Sequence, residues 1–323
     1  MPLTTDRRNG TVRLGIFIAR GFPLAPFSMV LETLRLANET LGNERFQWTI
    51  ISRDGEDRVS SCGLPARVDH SVDDSPSVDV LLVCTGERSP MIDDPAVLRW
   101  LRSAYRDGSK VGAISGGAFV LARAGLLSGR TCAIHWASRL ALAEAYPDVA
   151  VSGEIFVTDG RMITCAGGIS TLDLMLHLVE RFEGRATARR VADDLIYPSI
   201  RRGSEPARIE LHRRTGSTNT VLLNAIEIME RNVEYPVTLA RISETVGTSI
   251  RHLERLFARS MGIPPSKYYM HLRLREARGL LMQTDIPLSE VALRCGFNNT
   301  SHFARRYREV YAILPSDERR AMS

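Results

Sequence analysis

A serine flanked by small residues stands where an apolar run in the middle of the chain ends. The segment Ala113-Ile-Ser-Gly-Gly117 closes a predicted strand and opens a predicted helix. Small residues two places before and two places after a serine are the pattern of a nucleophile elbow, because a tight strand-to-helix turn has no room for larger ones. The amides of Gly116 and Gly117 would form an anion-binding nest at the start of the helix. The pattern predicts that Ser115 either attacks a substrate or binds an anionic group.

A histidine at the end of the next apolar run is the candidate general base. His135 closes the predicted strand Cys132–His135, so it can lie near Ser115, as proton transfer requires. Spacing places no acid beside it, and a catalytic triad is defined by geometry. A serine hydrolase is therefore one hypothesis, and a structural histidine is the other. The candidate acids are Glu154, Asp159 and Asp173.

The last third of the chain contains one pattern twice. Apolar residues recur at helical spacing, Gly247 breaks the run, and a second amphipathic helix opens near Ser249. Glycine permits the positive φ that such a turn needs, and serine can cap the amides of the next helix. An internal repeat of a helix, a tight turn and a helix predicts two helix-turn-helix units. The first unit has Leu239, Ile242, Val246, Leu253, Leu256 and Phe257, and the second has Val291, Cys295, Gly296, Phe303 and Tyr307.

Polar and basic side chains on the second helix of each unit lie outside its apolar stripe, where they can reach base edges or phosphates. The predicted long helix Ser266–Met282, with Tyr269, Leu272, Ala277, Leu280 and Leu281 as packing residues, would hold the two units about 34 Å apart, one turn of B-DNA. Two half-elements about 10 base pairs apart are the expected site. The candidate contacts are Arg251, His252, Glu254 and Arg255 on the first helix, and Thr300, Ser301, Arg305, Arg306 and Arg308 on the second.

The charge distribution agrees with a DNA partner. The chain of 323 residues has a net charge of +5, and residues 218–323 hold 15 Lys and Arg against 11 Asp and Glu. A basic domain favours a polyanion such as double-stranded DNA. Most of these cations are arginines, which suit bidentate contacts to guanine and phosphate.

The composition, with 44% hydrophobic and 24% charged residues, is typical of globular proteins and sufficient for two domains. No run reaches the roughly 18 uncharged apolar residues of a membrane span, and Met1–Gly10 has no apolar signal segment. The five scattered cysteines have no zinc-ligand spacing and are expected to be buried and reduced. We therefore expect a cytoplasmic protein without membrane contact, metal or cofactor.

The elements that must position Ser115 alternate between short apolar runs and longer amphipathic ones. This alternation predicts an α/β domain, with a mostly parallel sheet and helices on both faces. The expected strands are Val12–Ala19, Trp48–Ser52, Val78–Cys84, Val111–Ser115, Cys132–His135, Ile155–Thr158 and Met162–Cys165, the last two joined by the turn Asp159-Gly160. The expected helices are Met29–Leu41, Ala96–Asp107, Gly117–Ala124, Trp136–Ala145 and Ser170–Phe182.

A polar stretch rich in Pro, Gly and Arg separates this domain from the all-helical part of the chain. Residues 197–217 lack sustained periodicity and are expected to be a linker. The predicted organisation is thus a domain at residues 12–196, a linker at 197–217, and a DNA-binding domain at 218–319.

Residues 220–316 resemble the AraC/XylS family of transcriptional regulators. The resemblance rests on Leu253-Glu-Arg-Leu-Phe257, Gly262-Ile-Pro-Pro-Ser-Lys-Tyr268, Leu272-Arg-Leu-Arg-Glu-Ala-Arg278, Val291-Ala-Leu-Arg-Cys-Gly-Phe297, Ser301-His-Phe303 and Arg305. It implies that Arg251, Glu254, Arg255, Thr300, Ser301 and Arg305 face the DNA. The end departs from the family pattern at Ala312-Ile-Leu-Pro-Ser-Asp-Glu-Arg319, so we expect the last helix to be loosely docked.

Residues 12–195 resemble the class I glutamine amidotransferase-like (PfpI-like) fold, with its flavodoxin-like sheet, found upstream of AraC-type domains in many bacterial regulators. The resemblance rests on Gly112-Ala-Ile-Ser-Gly-Gly-Ala-Phe-Val-Leu-Ala122, Ala124-Gly-Leu-Leu-Ser-Gly129, Ile134-His-Trp136, Cys165-Ala-Gly-Gly168 and Asp173. Active members carry a cysteine where this chain has Ser115, and serine without a base is a poor nucleophile. The resemblance therefore implies a ligand pocket and not an enzyme.

Ser115, Ile134-His-Trp136 and Leu34-Arg-Leu-Ala-Asn38 are most similar to regulators that answer to arginine, glycine betaine or carnitine. Such an effector joins a carboxylate to a cation. We expect Ser115, with the amides of Gly116 and Gly117 and with His135 nearby, to bind the carboxylate. Trp136, Phe22 or Phe119 would offer a π face to the cation, and Glu32 would pair with a guanidinium.

The sequence thus predicts an effector-controlled, homodimeric transcriptional regulator, an activator of amino-acid or quaternary-amine catabolism. Two alternatives stay open. One is a serine-based hydrolase or amidase with a DNA-binding tail, and the other is a constitutive DNA-binding protein whose first domain only dimerises.

Overall fold

The computed structural model describes residues 10–86, 92–207 and 215–322. The chain divides into two compact units, one ending at Ala207 and the other following it. No helix among the described residues is long and apolar enough to cross a membrane. Within the same residues, no three His, Cys, Asp or Glu side chains gather as a metal site.

The first unit is built on a seven-stranded sheet in the order β10-β11-β7-β6-β1-β2-β5. All neighbours pair in parallel except β10 and β11, which form the hairpin predicted at the Asp159-Gly160 turn. The strands are β1 (Val12–Ile18), β2 (Phe46–Ser52), β3 (Arg58–Val59), β4 (Pro65–Ala66), β5 (His70–Ser71), β6 (Val80–Thr85), β7 (Lys110–Ser115), β8 (Thr131–Ala133), β9 (Ala150–Ser152), β10 (Phe156–Asp159) and β11 (Met162–Cys165).

Helices cover both faces of this sheet, because the central strands are apolar on both sides. Even-numbered residues of β1 and β6 share one buried cluster with helices α1, α5 and α6. The opposite face of β1 contacts α2, where the rings of Phe17 and Trp100 lie 5.8 Å apart. The helices are α1 (Leu24–Leu41), α2 (Pro95–Arg106), α3 (Gly117–Arg123), α4 (Arg139–Ala145), α5 (Ser170–Glu183) and α6 (Arg185–Asp194). The predicted α/β class is confirmed.

Several details differ from the sequence expectation. The strand predicted at Cys132–His135 ends at Ala133 and pairs with β9 outside the main sheet. Helix α6 was missed because its apolar residues form only a narrow stripe among charged ones. Four cysteines are buried as expected, but Cys62 is exposed. Burial raises the pKa of Cys132 and Cys295 to about 12, which keeps both thiols protonated.

The first half of the predicted linker packs onto the α/β unit. Tyr197, Ile200 and Ala207 contact its core, and the backbone amide of Ala207 donates to Gly153 O at 2.8 Å. The linker expectation is wrong for residues 197–207, because polar composition concealed these few apolar anchors. Residues 208–214 of the predicted linker lie outside the described residues.

The second unit is helical in the part that the structure describes. Its first core joins α7 to the first helix-turn-helix unit and to the start of α10. The expected packing residues of the long helix, Tyr269, Leu272, Ala277, Leu280 and Leu281, are all buried. The helices are α7 (Thr220–Arg231), α8 (Leu239–Thr245), α9 (Ile250–Met261), α10 (Pro265–Gln283), α11 (Leu288–Arg294), α12 (Thr300–Tyr311) and α13 (Pro315–Met322).

Candidate functional site

Ser115 occupies the turn between β7 and α3 with a φ of 57°. A non-glycine residue in this left-handed region costs about 1–2 kcal/mol, and such strain clusters at functional sites. Gly117 permits the turn, since a Cβ there would lie 2.2 Å from the Val83 carbonyl oxygen. The predicted elbow geometry is therefore present.

The elbow lies at the carboxyl edge of the parallel strands. Ser115 is in register with Thr85 at the ends of β7 and β6. Ligands of open parallel sheets bind outside this edge. Gly167 closes the elbow from the adjacent loop, because a Cβ on Gly167 would lie 2.0 Å from Ser115 Oγ. The Cys165-Ala-Gly-Gly168 motif thus forms a wall against the serine hydroxyl.

Three of the expected effector groups are already engaged or buried. The Gly116 amide donates to Thr85 O at 2.9 Å, so it is not an available anion donor. Phe22 and Phe119 are buried and cannot present a ring face to a ligand. These groups serve the fold in this structure, because the tightness that defines the elbow also fills the space around it.

Glu32 was expected to bind a guanidinium, and it does pair with one from its own helix. It lies on the exposed face of α1, with Oε1 2.6 Å from Arg35 Nη2. The hydrogen bond from Arg35 lowers the pKa of Glu32. An i,i+3 pair of this kind belongs to the helix surface. Without an effector, Glu32 thus pairs on the surface of α1, and its contact with a guanidinium of the effector stays a prediction.

His135 and Trp136 lie together after β8. Their rings are 5.3 Å apart, and His135 Nδ1 accepts a 3.4 Å bond from the Ala137 amide as it caps a short 3₁₀ turn. His135 is exposed, whereas Trp136 is half-buried. Trp136 is thus only partly covered, and its contact with a cation stays a prediction.

Asp173, a candidate acid, is directed to other partners. Its carboxylate is fully buried and accepts bonds from the Arg201 amide at 2.8 Å, from Arg201 Nη2 at 2.6 Å and from the Tyr197 hydroxyl at 3.0 Å. Burial raises its pKa, while the bonds from Arg201 oppose that rise. Asp159, another candidate, pairs with Arg130. Both carboxylates therefore have arginine partners of their own.

The first helix-turn-helix unit has the predicted local geometry. Gly247 has a φ of 69° between α8 and α9. The Ser249 hydroxyl accepts a 3.2 Å bond from the His252 amide and so caps α9. Leu253 and Phe257 are fully buried and fix the rotation of that helix.

The second unit repeats this arrangement with a different cap. Gly296 has a φ of 74°, and a Cβ there would lie 2.3 Å from Pro236 Cγ. The Asn299 side chain caps α12 by accepting a 3.0 Å bond from the His302 amide. Phe303 is fully buried on the inner side. The internal repeat read from the sequence is therefore a structural repeat.

The predicted DNA contacts lie on the helix faces opposite the buried rings. Arg255 Nη2 is 2.7 Å from His252 Nδ1, and the Arg255 side chain is exposed. Arg306 Nη1 pairs with Glu309 Oε2 at 2.8 Å. Arg306 is therefore the cation of this set least available to DNA. Those that are exposed are Arg251, Glu254, Arg255, Thr300, Ser301, Arg305 and Arg308, while His252 and Arg306 are half-buried.

Arg273 on α10 positions the second unit, and sequence analysis missed it. Its guanidinium donates to Cys295 O at 2.8 Å and to Gly296 O at 2.6 Å, and it lies 4.1 Å from the centre of the Phe297 ring. One planar side chain thus ties the turn to the long helix. The sequence offered one signal for this role, because Arg273 lies within the family motif Leu272-Arg-Leu-Arg-Glu-Ala-Arg278.

We expect Arg273→Met to lower the free energy of unfolding of the second unit by about 2 kcal/mol, because two carbonyls lose charge-assisted bonds. Chemical denaturation followed by helical circular dichroism measures the loss. Arg259→Met, at an exposed position on α9, is the control and should change stability by less than about 0.5 kcal/mol. Equal stability of the two variants would contradict the role given to Arg273.

The last helix is anchored, contrary to expectation. Glu318 on α13 is buried and pairs with Arg278 Nη2 at 2.6 Å. It also accepts a short hydrogen bond from the Tyr307 hydroxyl. Glu318 thus makes a buried polar contact that joins α10, α12 and α13. A loosely docked helix would not bury a carboxylate.

Comparisons with known proteins match both units. A model of the DJ-1/PfpI family matches residues 15–181, and a helix-turn-helix domain model matches residues 242–321. The HTH-type transcriptional regulator GbdR of Pseudomonas aeruginosa is 37% identical over 95% of this chain and 83% of its own length. The regulator CdhR of the same species is 37% identical over 93% and 89%. A crystal structure of an AraC family transcriptional regulator from Pseudomonas putida has a TM-score of 0.53 and 31% identity, and covers 57% of this chain and 99% of its own.

An α/β unit with a serine elbow, followed by paired helix-turn-helix units, defines a DNA-binding transcriptional regulator with a DJ-1/PfpI-type domain. The similarity to GbdR and CdhR extends along almost the whole chain. The chain belongs to the AraC-type family of transcriptional regulators that carry this domain.

Proposed function

We propose that a small effector bound at the Ser115 elbow controls DNA binding by this regulator, and that the elbow is not catalytic. The effector is an amino acid or a betaine-like molecule, with a carboxylate at Ser115 and a cation toward Trp136. The regulator acts as a homodimer in the cytoplasm and activates genes of amino-acid or quaternary-amine catabolism. It reads two different half-elements, through Arg251, Glu254 and Arg255 on α9 and through Thr300, Ser301 and Arg305 on α12.

The observation that carries this proposal is the strained Ser115, held at the carboxyl edge of the sheet against Gly167. Keeping a serine in a positive-φ turn costs stability, which favours a function for its hydroxyl. The hydroxyl and the first amide of α3, that of Gly117, both suit a carboxylate.

The proposal that the elbow is not catalytic is supported by two of the three candidate acids, Asp159 and Asp173. Asp173 is committed to Tyr197 and Arg201, and Asp159 to Arg130. A serine becomes a strong nucleophile only through an oriented base. A ligand contact needs neither a base nor an acid, so binding is the simpler function for this elbow.

We expect Ser115→Ala to weaken effector binding about tenfold or more, because a hydrogen bond to a charged group is lost. Calorimetry of the full chain with L-arginine, glycine betaine and L-carnitine measures the change. Ser103→Ala, which removes a hydroxyl bonded to Asp107 on α2, is the control and should bind as the unchanged protein does.

The alternatives give different results in the same experiments. Turnover of an activated ester or amide that disappears in Ser115→Ala would establish a hydrolase and defeat the proposal. Absence of binding by all three ligands, with DNA binding intact, would favour a first unit that only dimerises.

A further inference from the structure

Residues 196–207 form a strap that leaves α6, returns to α5 and then continues toward the DNA-binding unit in the sequence. Its far end runs beside residues 153–156, where the Ile155 amide donates to Glu205 O at 2.8 Å. Residues 197–204 of the strap border a cavity of about 890 Å³ lined also by β10, α5 and α6. The strap is thus attached at two places, with a cavity along its inner side.

Asp173 is the anchor of the near end. It accepts two guanidinium bonds and one amide bond from Arg201, and a hydroxyl bond from Tyr197. The carboxylate has no exposed surface. A buried charge stays bound to its partners because an unpaired one is costly. Detachment of the strap is therefore a discrete event in which several bonds break together.

The first turn of α5, which contains Asp173, begins close to Gly167, the residue that lies against Ser115. Gly167 lies against Ser115 Oγ, and the Ser170 hydroxyl donates to Gly167 O at 2.6 Å. Ser170 is the first residue of α5, and Asp173 follows three residues later. Ser115 Oγ, Gly167 and the first turn of α5 are thus in continuous contact, so a group that pushes Ser115 Oγ toward Gly167 would act on that turn.

The strap also begins with strain that opposes its attachment. Ile196 has a φ of 52° and a side chain that is 90% exposed. This conformation lets the Tyr197 amide donate to Ala192 O at 2.8 Å and reverses the chain toward α5. A β-branched residue is among the least suited to positive φ, and this one gains no packing in return. Attachment at Asp173 and strain at Ile196 therefore act in opposite directions.

We propose that the strap is a two-state element, attached or released at Asp173, that transmits occupancy of the Ser115 elbow to the DNA-binding unit. This inference rests on the proposed function and names its regulation. The effector acts through Gly167 and the first turn of α5, so it strengthens or weakens the hydrogen bonds that Asp173 accepts from Tyr197 and Arg201. A two-state element responds to a ligand only through different affinities of the two states.

Two substitutions shift this equilibrium in opposite directions. Arg201→Gln removes the guanidinium bonds and favours release by about tenfold or more. Ile196→Asn favours attachment by about fivefold, because asparagine tolerates positive φ and the exposed isoleucine has little packing to lose. Arg202→Gln is the matched control, since it makes the same change one residue along at an exposed side chain.

The experiment measures hydrogen exchange of residues 196–207 in the full chain without ligand. It also measures affinity for a DNA site selected from a random pool. We expect faster exchange in Arg201→Gln, slower exchange in Ile196→Asn, and opposite changes in DNA affinity, with Arg202→Gln unchanged. Tyr197→Phe replaces Arg201→Gln as the releasing variant if the latter does not fold, and should act in the same direction.

The outcomes separate this inference from the function beneath it. Failure of the unchanged protein to select any DNA site would defeat the proposed function. If the unchanged protein selects a DNA site normally, two results would overturn the proposed role of the strap and leave the proposed function standing. One is equal hydrogen exchange and equal DNA affinity in all variants. The other is a shift in the same direction in Arg201→Gln and Ile196→Asn.

Discussion

Arg255→Ala and Arg305→Ala are each expected to weaken binding to the specific DNA site by about 1–3 kcal/mol, or about 5- to 150-fold. The two side chains are exposed on separate recognition helices, so their effects should add in the double variant. Gel-shift titration at fixed salt measures the affinities. Footprinting should show Arg255→Ala losing protection at one half-element and Arg305→Ala at the other.

The control for this prediction is Arg231→Ala. It removes the same charge from an exposed position on α7, where Arg231 pairs with Glu227. Any general loss of attraction to phosphates appears in this control and is subtracted. Unchanged footprints in both arginine variants would defeat the contact assignment, although not the family membership.

Gly117→Ala is expected to destabilise the first unit by several kcal/mol. The added Cβ would lie 2.2 Å from the Val83 carbonyl oxygen, which belongs to the backbone of the central strand β6 and cannot move aside. Overpacking of an interior commonly costs about 1–3 kcal/mol and more where backbone must shift. Thermal unfolding followed by calorimetry measures the loss, and effector binding should fall with it.

Gly125→Ala separates steric overlap from backbone strain. Gly125 has a φ of 73°, and a Cβ there would meet no atom within 4 Å, so alanine at this position has a conformational cost alone, about 1–2 kcal/mol. We expect the loss in Gly117→Ala to exceed it clearly. A smaller effect at Gly117 would mean that β6 and α3 can separate without loss, and that the elbow is not built on their close approach.

Local chemistry made much of this structure predictable. The periodicity of Ile242 and Val246, the break at Gly247 and the cap at Ser249 are short-range features, and each occurs as predicted. The elbow at Ser115 was predictable for the same reason, since small neighbours signal a turn that excludes larger residues. Most strands of the main sheet follow from apolar runs, whereas the short edge strand β5 and the helix α6 were not predicted.

Partners distant in sequence were not predictable. Asp173 was a candidate acid, yet it binds Arg201, 28 residues away and within the expected linker. The type of a residue determines which groups its side chain can bind. Which of those groups lie within reach depends on the elements that folding brings together.

The sequence alone determined that this protein has an elbow serine in an α/β unit and two helix-turn-helix units behind it, because turns, caps and periodicity act over a few residues. Only the tertiary structure decided that Gly167 packs against Ser115, that Arg273 and Glu318 connect helices of the second unit, and that residues 197–207 bind to α5. These contacts join charges and backbone groups far apart in the chain, and burial alone selects which of the possible pairs form.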